Sequence, residues 1–502
     1  MLIAALVSAQ VFCMSTAAFF LFRMNGNTFA ESASYAIITV FMLLSFIRQV
    51  CFIIGSPLIS IGIEAFFLIA SILLIYRHRS YISGTISILR NFGSSNFISF
   101  IFLIFCFLYM AIHTFFHVPK EFLDELSTLS LYEKSGFFQL VSAPEFPALF
   151  PVNHLILFKP FLWSGTGFGA GMLCLSAYLS IGFSTYALAR RYSWPPTAFT
   201  TAVLVMSIPR LVVQAIHPGT QIIAVAVALF CILAIYRTVE LPNLTDLLLL
   251  VLGLCFCISQ NISGMIFAPI LFILSWVILF RRHGIIEWKR ILANAYAFLA
   301  VVPALIFSQS WLFMSNYYYK DSWSGLFPCI SFNHDGIQGA LANFIRYILE
   351  SFHFTAPLDP FFVRVFDWSM TQSLQSFYDF FVRSCLGESG AVQVFDLTWM
   401  QGEMFSFGPV GFFLVLPALC YAMLKGPRRL KAVAIAFVSY FYLVSLILAW
   451  APGTSAVFEI FYVGAGFSIA FFFPPWRFTK RNKRIVQIAG CVLLFITLLT
   501  TP

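Results

Sequence analysis

Charged side chains are scarce in this chain. Lys and Arg number 29 and Asp and Glu 20 among 502 residues, about 10%, where a soluble globular domain carries about 25%. With 60% hydrophobic residues and a mean hydropathy of +0.91, there is not enough polar surface to face water on all sides. The solvent must be lipid. The alternating segments of roughly ten residues that a membrane β-barrel requires are also missing. The apolar runs are continuous and long enough for spanning helices. No Gly-x-Gly-x-x-Gly or Walker-type run stands in the strand–helix context that would make it a phosphate loop. No repeat of 20–50 residues and no low-complexity tract is found. No basic stretch precedes the first apolar run, so a cleaved signal peptide is not expected.

What is present is a basic excess, with a net charge of +9 and a pI near 9.0. Its placement argues against nucleic acid, because the basic residues flank apolar runs as topology signals do. Fourteen candidate helices are read at 2–21, 34–54, 58–76, 97–117, 167–188, 197–216, 220–236, 244–259, 263–280, 291–314, 410–424, 432–450, 456–473 and 485–499. If they simply alternate, twenty of the 29 basic residues fall on one side. These are Arg23; Arg77, Arg79 and Arg90; Arg190 and Arg191; Arg237; Arg281, Arg282, Lys289 and Arg290; Lys425, Arg428, Arg429 and Lys431; and Arg477, Lys480, Arg481, Lys483 and Arg484. That side is the cytoplasm, and both chain ends lie opposite. The expected fold class is all-α, a polytopic transmembrane bundle of about 14 helices with two long outer-side loops containing short helices.

The expected organisation is a three-helix N-terminal membrane extension (1–96), a transmembrane core (97–314) holding the first outer loop (118–166), a large outer loop domain (315–409) and C-terminal transmembrane helices (410–502). The two outer connections hold 14 of the 20 acidic residues, and loops this long tend to be functional. Within the second, the stretch 339–353 has apolar Leu341, Phe344, Ile345 and Ile348 separated by Asn343, Arg346 and Glu350. It reads as a helix lying flat on the membrane, and 370–382 reads similarly.

Chemistry concentrates just after the fourth helix. Pro119 ends that helix, which leaves Asp124 and Glu125 a few residues above the bilayer. A partly desolvated but water-accessible carboxylate suits a general base, and neighbouring carboxylates raise one another's pKa. The plain alternative is a solvated acidic loop. His113 and His117 share a helix face and, with Asp124, could hold a divalent metal; two interfacial histidines would look the same. No other cofactor is implied. Cys329 and Cys385 lie in the same outer loop, where a disulfide could form in an oxidising compartment. Arg48 and Glu64 fall at similar depth in consecutive apolar runs. They read as a structural intramembrane pair or, second, as an ion-coupled transport site.

The segment Asp124-Glu-Leu-Ser-Thr-Leu-Ser-Leu-Tyr132, followed by Gly136, Pro147, Pro151, Asn153 and an apolar helix, resembles the first outer loop of the GT-C superfamily of membrane glycosyltransferases. Relatives include the protein O-mannosyltransferases and the lipid A aminoarabinose transferase. The helix pair across 197–237, the stretch 252–269 with Gly264, and Gly402-Glu-Met-Phe-Ser-Phe-Gly-Pro-Val-Gly411 extend the likeness to about residues 97–475. Two places depart from it. His217-Pro-Gly-Thr-Gln stands where many bacterial members carry an Asp, and Glu459 stands near an Arg-Tyr-type position. The resemblance implies a polyprenyl-phosphate-linked sugar donor and a glycan, lipid or protein acceptor on the outer face, with Asp124 or Glu125 as base. It also implies cations for the leaving phosphate: Lys120, Lys159, Arg210, His217, Lys320, Arg346, Arg364 and Arg383 are the candidates. The expected location is a bacterial inner membrane, with the site facing the periplasm. A transporter or lipid-linked-sugar flippase, and a catalytically silent scaffold, are the competing readings.

Overall fold

The computed structural model describes residues 1–79, 81–82, 84, 87, 97–116, 153–162, 168–217, 219, 221–241, 243–292, 300–321, 331–352, 359–397, 407–473 and 480–500. For 57–58, 97–98, 162, 280–292, 480–481, 483 and 499–500 it describes the backbone alone. Among the described residues the regular elements are all helical. The only extended pairings there are two isolated bridges, Phe332 with Leu448 and Ala391 with Trp450.

The first two helices, α1 (Leu2–Met24) and α2 (Phe29–Ile53), have 23 and 25 residues. At about 1.5 Å per residue each exceeds the ~30 Å hydrocarbon thickness. A capping box starts α2: the Thr28 hydroxyl accepts from the Glu31 N–H, and the Glu31 carboxylate accepts from the Thr28 N–H. Helix α3 (Pro57–Arg77) opens on proline, whose missing N–H is not needed in a first turn. Then come α4 (Phe97–Phe116), α5 (Asn153–Leu162), α6 (Gly171–Ala189), α7 (Pro195–Met206), α8 (Pro209–Ile216), α9 (Gln221–Glu240), α10 (Leu244–Ile258) and α11 (Ile262–Leu292). Short helices α12 (Val301–Phe307) and α13 (Ser310–Lys320) precede the segment expected as the outer domain, in which the described helices are α14 (Gly336–Glu350), α15 (Asp359–Phe366) and α16 (Met370–Phe377), the last running on into a π turn. The chain ends with α17 (Val410–Lys425), α18 (Arg428–Ile447), α19 (Thr454–Phe472, part 3-10) and α20 (Lys480–Thr500).

Nine helices among the described residues are long and apolar enough to cross a membrane, or ten if the bent pair α7–α8 counts as one span. The chain is a multi-pass integral membrane protein. Helix α9 is the hub. It is apolar all round and buried along its whole span, packed by α2, α6, α10 and α11. A helix of that composition belongs inside a bundle. Helices α3 and α4 sit at the rim and show most of their surface to lipid.

Three of the expected spans are shorter apolar helices: α10, α17 and the 484–498 part of α20. The single helix expected over 291–314 is not formed. The chain breaks between α12 and α13 at Gln309, whose φ of 51° is left-handed. The Ser308 and Ser310 hydroxyls bond one another at 2.6 Å, while the Gln309 amide turns inward to Asn153. Helix α14 does not lie free on a surface either. It lodges against α18 with Asn343 and Arg346 fully buried, because the Asn343 amide donates to the Leu448 carbonyl at 3.0 Å.

Candidate functional site

Residues 153–162 were expected inside the first outer loop, yet they form α5, a helix sunk between α1 and α2. Its first residue organises a buried polar nest. The Asn153 side-chain oxygen accepts from Ser45 (3.1 Å), Gln309 (3.2 Å) and Gln49, while its amide donates to the Phe307 carbonyl (2.7 Å) and to Ser259. One residue thus ties α2, α5, the end of α10 and the α12–α13 break together. Every donor finds an acceptor, as an apolar interior demands. One turn along α2, Arg48 meets Glu64 through two parallel bonds of 2.8 and 2.9 Å and donates to the Leu157 carbonyl at 2.7 Å. Gln10 of α1 adds a 2.9 Å bond to the same carboxylate. These groups lie toward the C-terminal ends of α2 and α10 and the N-terminal half of α3.

A second polar centre surrounds the break between α7 and α8. Helix α7 has 12 residues, a rise of about 18 Å. The chain then turns by 67° into α8. The cause is local. Pro209 forces extended geometry on Ile208, and Tyr178 donates to the freed Met206 carbonyl at 2.7 Å. Broken helices at mid-membrane are where transporters and related proteins place substrate sites. Arg210 stands at the start of α8. The Glu459 carboxylate is fully buried, and neither oxygen has a hydrogen-bond partner. Arg210 is the positive charge acting on it, and its own Nε is equally unmet. Cys174 and Tyr440 complete the surroundings. Nearby, the His113 and His217 rings meet edge to face, 5.9 Å between centroids. A Cβ on Gly408, just before α17, would stand 2.8 Å from the Pro209 ring. The elbow is therefore in direct contact with the start of α17. An ionisable side chain left unsatisfied in a membrane interior is costly and marks a working site.

Comparison with known proteins identifies no family. The chain matches no family model, no curated protein and no solved structure. The site rests on geometry alone.

The sequence candidates are distributed as follows. Asp124, Glu125, Lys120, His117 and Cys329 lie outside the described residues. His113 and His217 meet ring to ring, while Arg210 stands at the opposite end of α8 from His217. Lys159 is buried in α5, its ammonium 5.6 Å over the Phe52 ring. Arg346 is fully buried and its donors are taken: Nε by the Tyr378 hydroxyl at 2.8 Å, Nη1 by Asn343 at 2.8 Å and the Ser389 carbonyl at 2.6 Å, Nη2 by Gly387 and Glu388. Arg383 is likewise committed, to Asp379, Glu388 and the Phe395 carbonyl. Both are struts of the outer domain, so a free phosphate would have to displace internal bonds. Arg364 is exposed on α15 and Lys320 ends α13. Cys385 is exposed. Among the described residues no three His, Cys, Asp or Glu side chains converge as metal ligands. Sequence reasoning missed the nest of Ser45, Gln49, Asn153, Ser259 and Gln309. The available signal was Ser45 and Gln49, spaced four apart on the same face of an apolar run as Arg48.

Two half-enclosed hollows run along the bundle. One, about 560 Å³, lies between α1, α2 and α6 and reaches Phe161 and Met172. The other, about 770 Å³, lies between α4, α6 and α7 and reaches the start of α2 and the end of α9. They share Phe29, Phe107 and Leu179 in their walls.

Proposed function

We propose that this chain is a membrane glycosyltransferase that moves a sugar from a polyprenyl-phosphate donor to an acceptor on the outer face. Asp124 and Glu125 supply the general base. The single observation that carries the reading is the apolar hollow of about 560 Å³ in the same bundle as Arg210 and the buried Glu459 carboxylate, whose oxygens have no hydrogen-bond partner. The hollow suits an isoprenoid tail, and Arg210 offers a cation to a phosphate. The GT-C resemblance of residues 97–475 adds the reaction type. In this scheme the base removes the proton of an acceptor hydroxyl, whose oxygen forms the new bond to the sugar carbon. The bond from that carbon to the phosphate oxygen breaks, and the electron pair leaves with the phosphate, which Arg210 and His217 neutralise. The active side would be the periplasmic face of a bacterial inner membrane.

A second reading, a lipid-linked-sugar flippase, is favoured by one feature. Helices α7 and α8 form a broken pair bent by 67°, and interrupted helices are a common feature of transporters. Proteoliposomes carrying a polyprenyl-phosphate hexose, radiolabelled in the sugar, separate the two. The transferase reading expects label in an envelope acceptor extract, with a drop of about 10²–10⁴-fold for Asp124→Asn combined with Glu125→Gln. Full transfer by that double variant would remove the assignment. Label crossing the bilayer without changing carrier would establish the flippase.

A further inference from the structure

The cytoplasmic mouth of the larger hollow is built from charge. Arg191, just past the end of α6, bridges two carboxylates: Nη2 reaches Glu31 at 2.6 Å, and Nε and Nη2 reach Glu240 at 2.9 and 3.0 Å. Arg237 of α9 adds a longer contact to Glu31, 3.9 Å from Nη1. It is about nine-tenths buried, yet its Nε has no hydrogen-bond partner. Arg190 is exposed and gives one bond, to the Ser193 carbonyl at 2.7 Å. All five residues line the hollow. Behind them Asp246 acts on Arg237, and Arg429 acts on Tyr192 and Tyr236, whose hydroxyls bond each other. These two outer charges offset one another. The lining itself carries three guanidiniums against two carboxylates, one positive charge in excess.

Above this mouth the wall is apolar, with Leu103, Phe107, Leu179, Phe183 and Met206. A ligand that fits must bring one negative charge and acceptor oxygens at the level of the arginines, and a hydrocarbon tail above them. Guanidinium groups match phosphate oxygens in geometry, and a cytoplasmic leaflet presents anionic headgroups at this depth. A metal cation does not fit, because both carboxylates are already bridged by Arg191.

We propose that the larger hollow is a binding site for an anionic phospholipid of the cytoplasmic leaflet. Its phosphodiester is held by the Arg190 and Arg237 side chains at the mouth, and an acyl chain lies between α4 and α6. The site uses none of the polar residues assigned to the transfer reaction, and it is a different hollow from the one of about 560 Å³ offered there to the isoprenoid tail, sharing with it Phe29, Phe107 and Leu179.

The test is native mass spectrometry of the full chain in detergent, titrated with phosphatidylglycerol, phosphatidylcholine or a polyprenyl phosphate. Phosphatidylglycerol should bind in preference to phosphatidylcholine. Arg190→Gln should weaken it by about tenfold, as expected for one lost charge-assisted bond. Leu179→Trp, which fills the apolar wall without touching charge, should weaken all lipids. Lys425→Gln, on the same face but outside the hollow, should leave binding as in the wild type. Equal retention of phosphatidylglycerol by Arg190→Gln and Leu179→Trp would overturn the site. So would equal binding of the zwitterionic lipid. Displacement by polyprenyl phosphate at lower concentration would overturn the phospholipid assignment.

Discussion

Arg48 and Glu64 face each other as a two-bond ion pair in adjoining membrane helices, with Arg48 Nε 2.8 Å from one carboxylate oxygen and Nη2 2.9 Å from the other. The pair closes α2 against α3, and Gln10 ties α1 to the same carboxylate.

Because both ions are removed from water, breaking the pair should cost far more than deleting it. Arg48→Met alone strands the Glu64 carboxylate, and Glu64→Leu alone strands the guanidinium; each should destabilise by about 3–5 kcal/mol. The double variant should lie much closer to the wild type. Thermal unfolding in detergent, followed by a thiol-reactive dye at the buried cysteines, measures all three. A double variant as unstable as the sum of the singles would mean that the pair is not a unit.

Asn153 should prove the most sensitive polar residue of the outer half. Replacing it with Leu keeps approximate size but removes one hydrogen bond each from Ser45, Gln49, Gln309, Ser259 and the Phe307 carbonyl, at about 0.5–1.5 kcal/mol for each bond lost. The loss should be visible as a lowered melting temperature and as faster proteolysis next to the α12–α13 break. Asn153→Asp should be harmful as well, since a carboxylate cannot donate to the Phe307 carbonyl.

Acid should weaken the packing of α5. Burial pushes the His154 imidazole down to about 4, against a backbone hydrogen bond to Gln260 that works the other way. The unfolded chain takes up a proton near its ordinary value of about 6.5 while the folded one does not. Stability from this group is therefore complete above about 6.5 and falls as pH drops toward 4, by on the order of 3 kcal/mol in total. Melting temperatures of wild type and His154→Gln, taken across that window, should diverge only below its upper edge. Parallel curves would dismiss the effect.

Glu459 offers a contrast between stability and function. An amide is easier to bury than a carboxylate, so Glu459→Gln should fold as well as the wild type or melt a few degrees higher. If the Arg210 region handles a phosphate, the same variant should alter transfer or transport of polyprenyl-phosphate hexose, and Arg210→Gln should reduce it. Such a trade between stability and activity is the usual mark of a working polar group. A melting point that falls sharply in Glu459→Gln would assign the residue a purely structural role.

Much of the architecture was legible before any coordinates. Long apolar runs can satisfy their backbone inside lipid only by coiling into helices, and the arginines at alternate ends orient them. Arg48 and Glu64 were legible for a similar reason: two opposite charges in consecutive apolar segments have few other partners. Asn153 was not. It sits after a long polar connection, and nothing in its neighbours says that residues 153–162 dive between α1 and α2. The breaks at Ile208 and Gln309 were equally hidden, because each is made by one or two residues inside runs that remain apolar on average.

The sequence by itself determined that this is a helical membrane protein, because lipid imposes that outcome on composition alone. Only the tertiary structure decided which polar groups meet. Whether Gln49 finds Asn153, or Arg48 finds the Leu157 carbonyl, depends on how far each helix is turned and where it breaks. Those are set by packing among segments hundreds of residues apart.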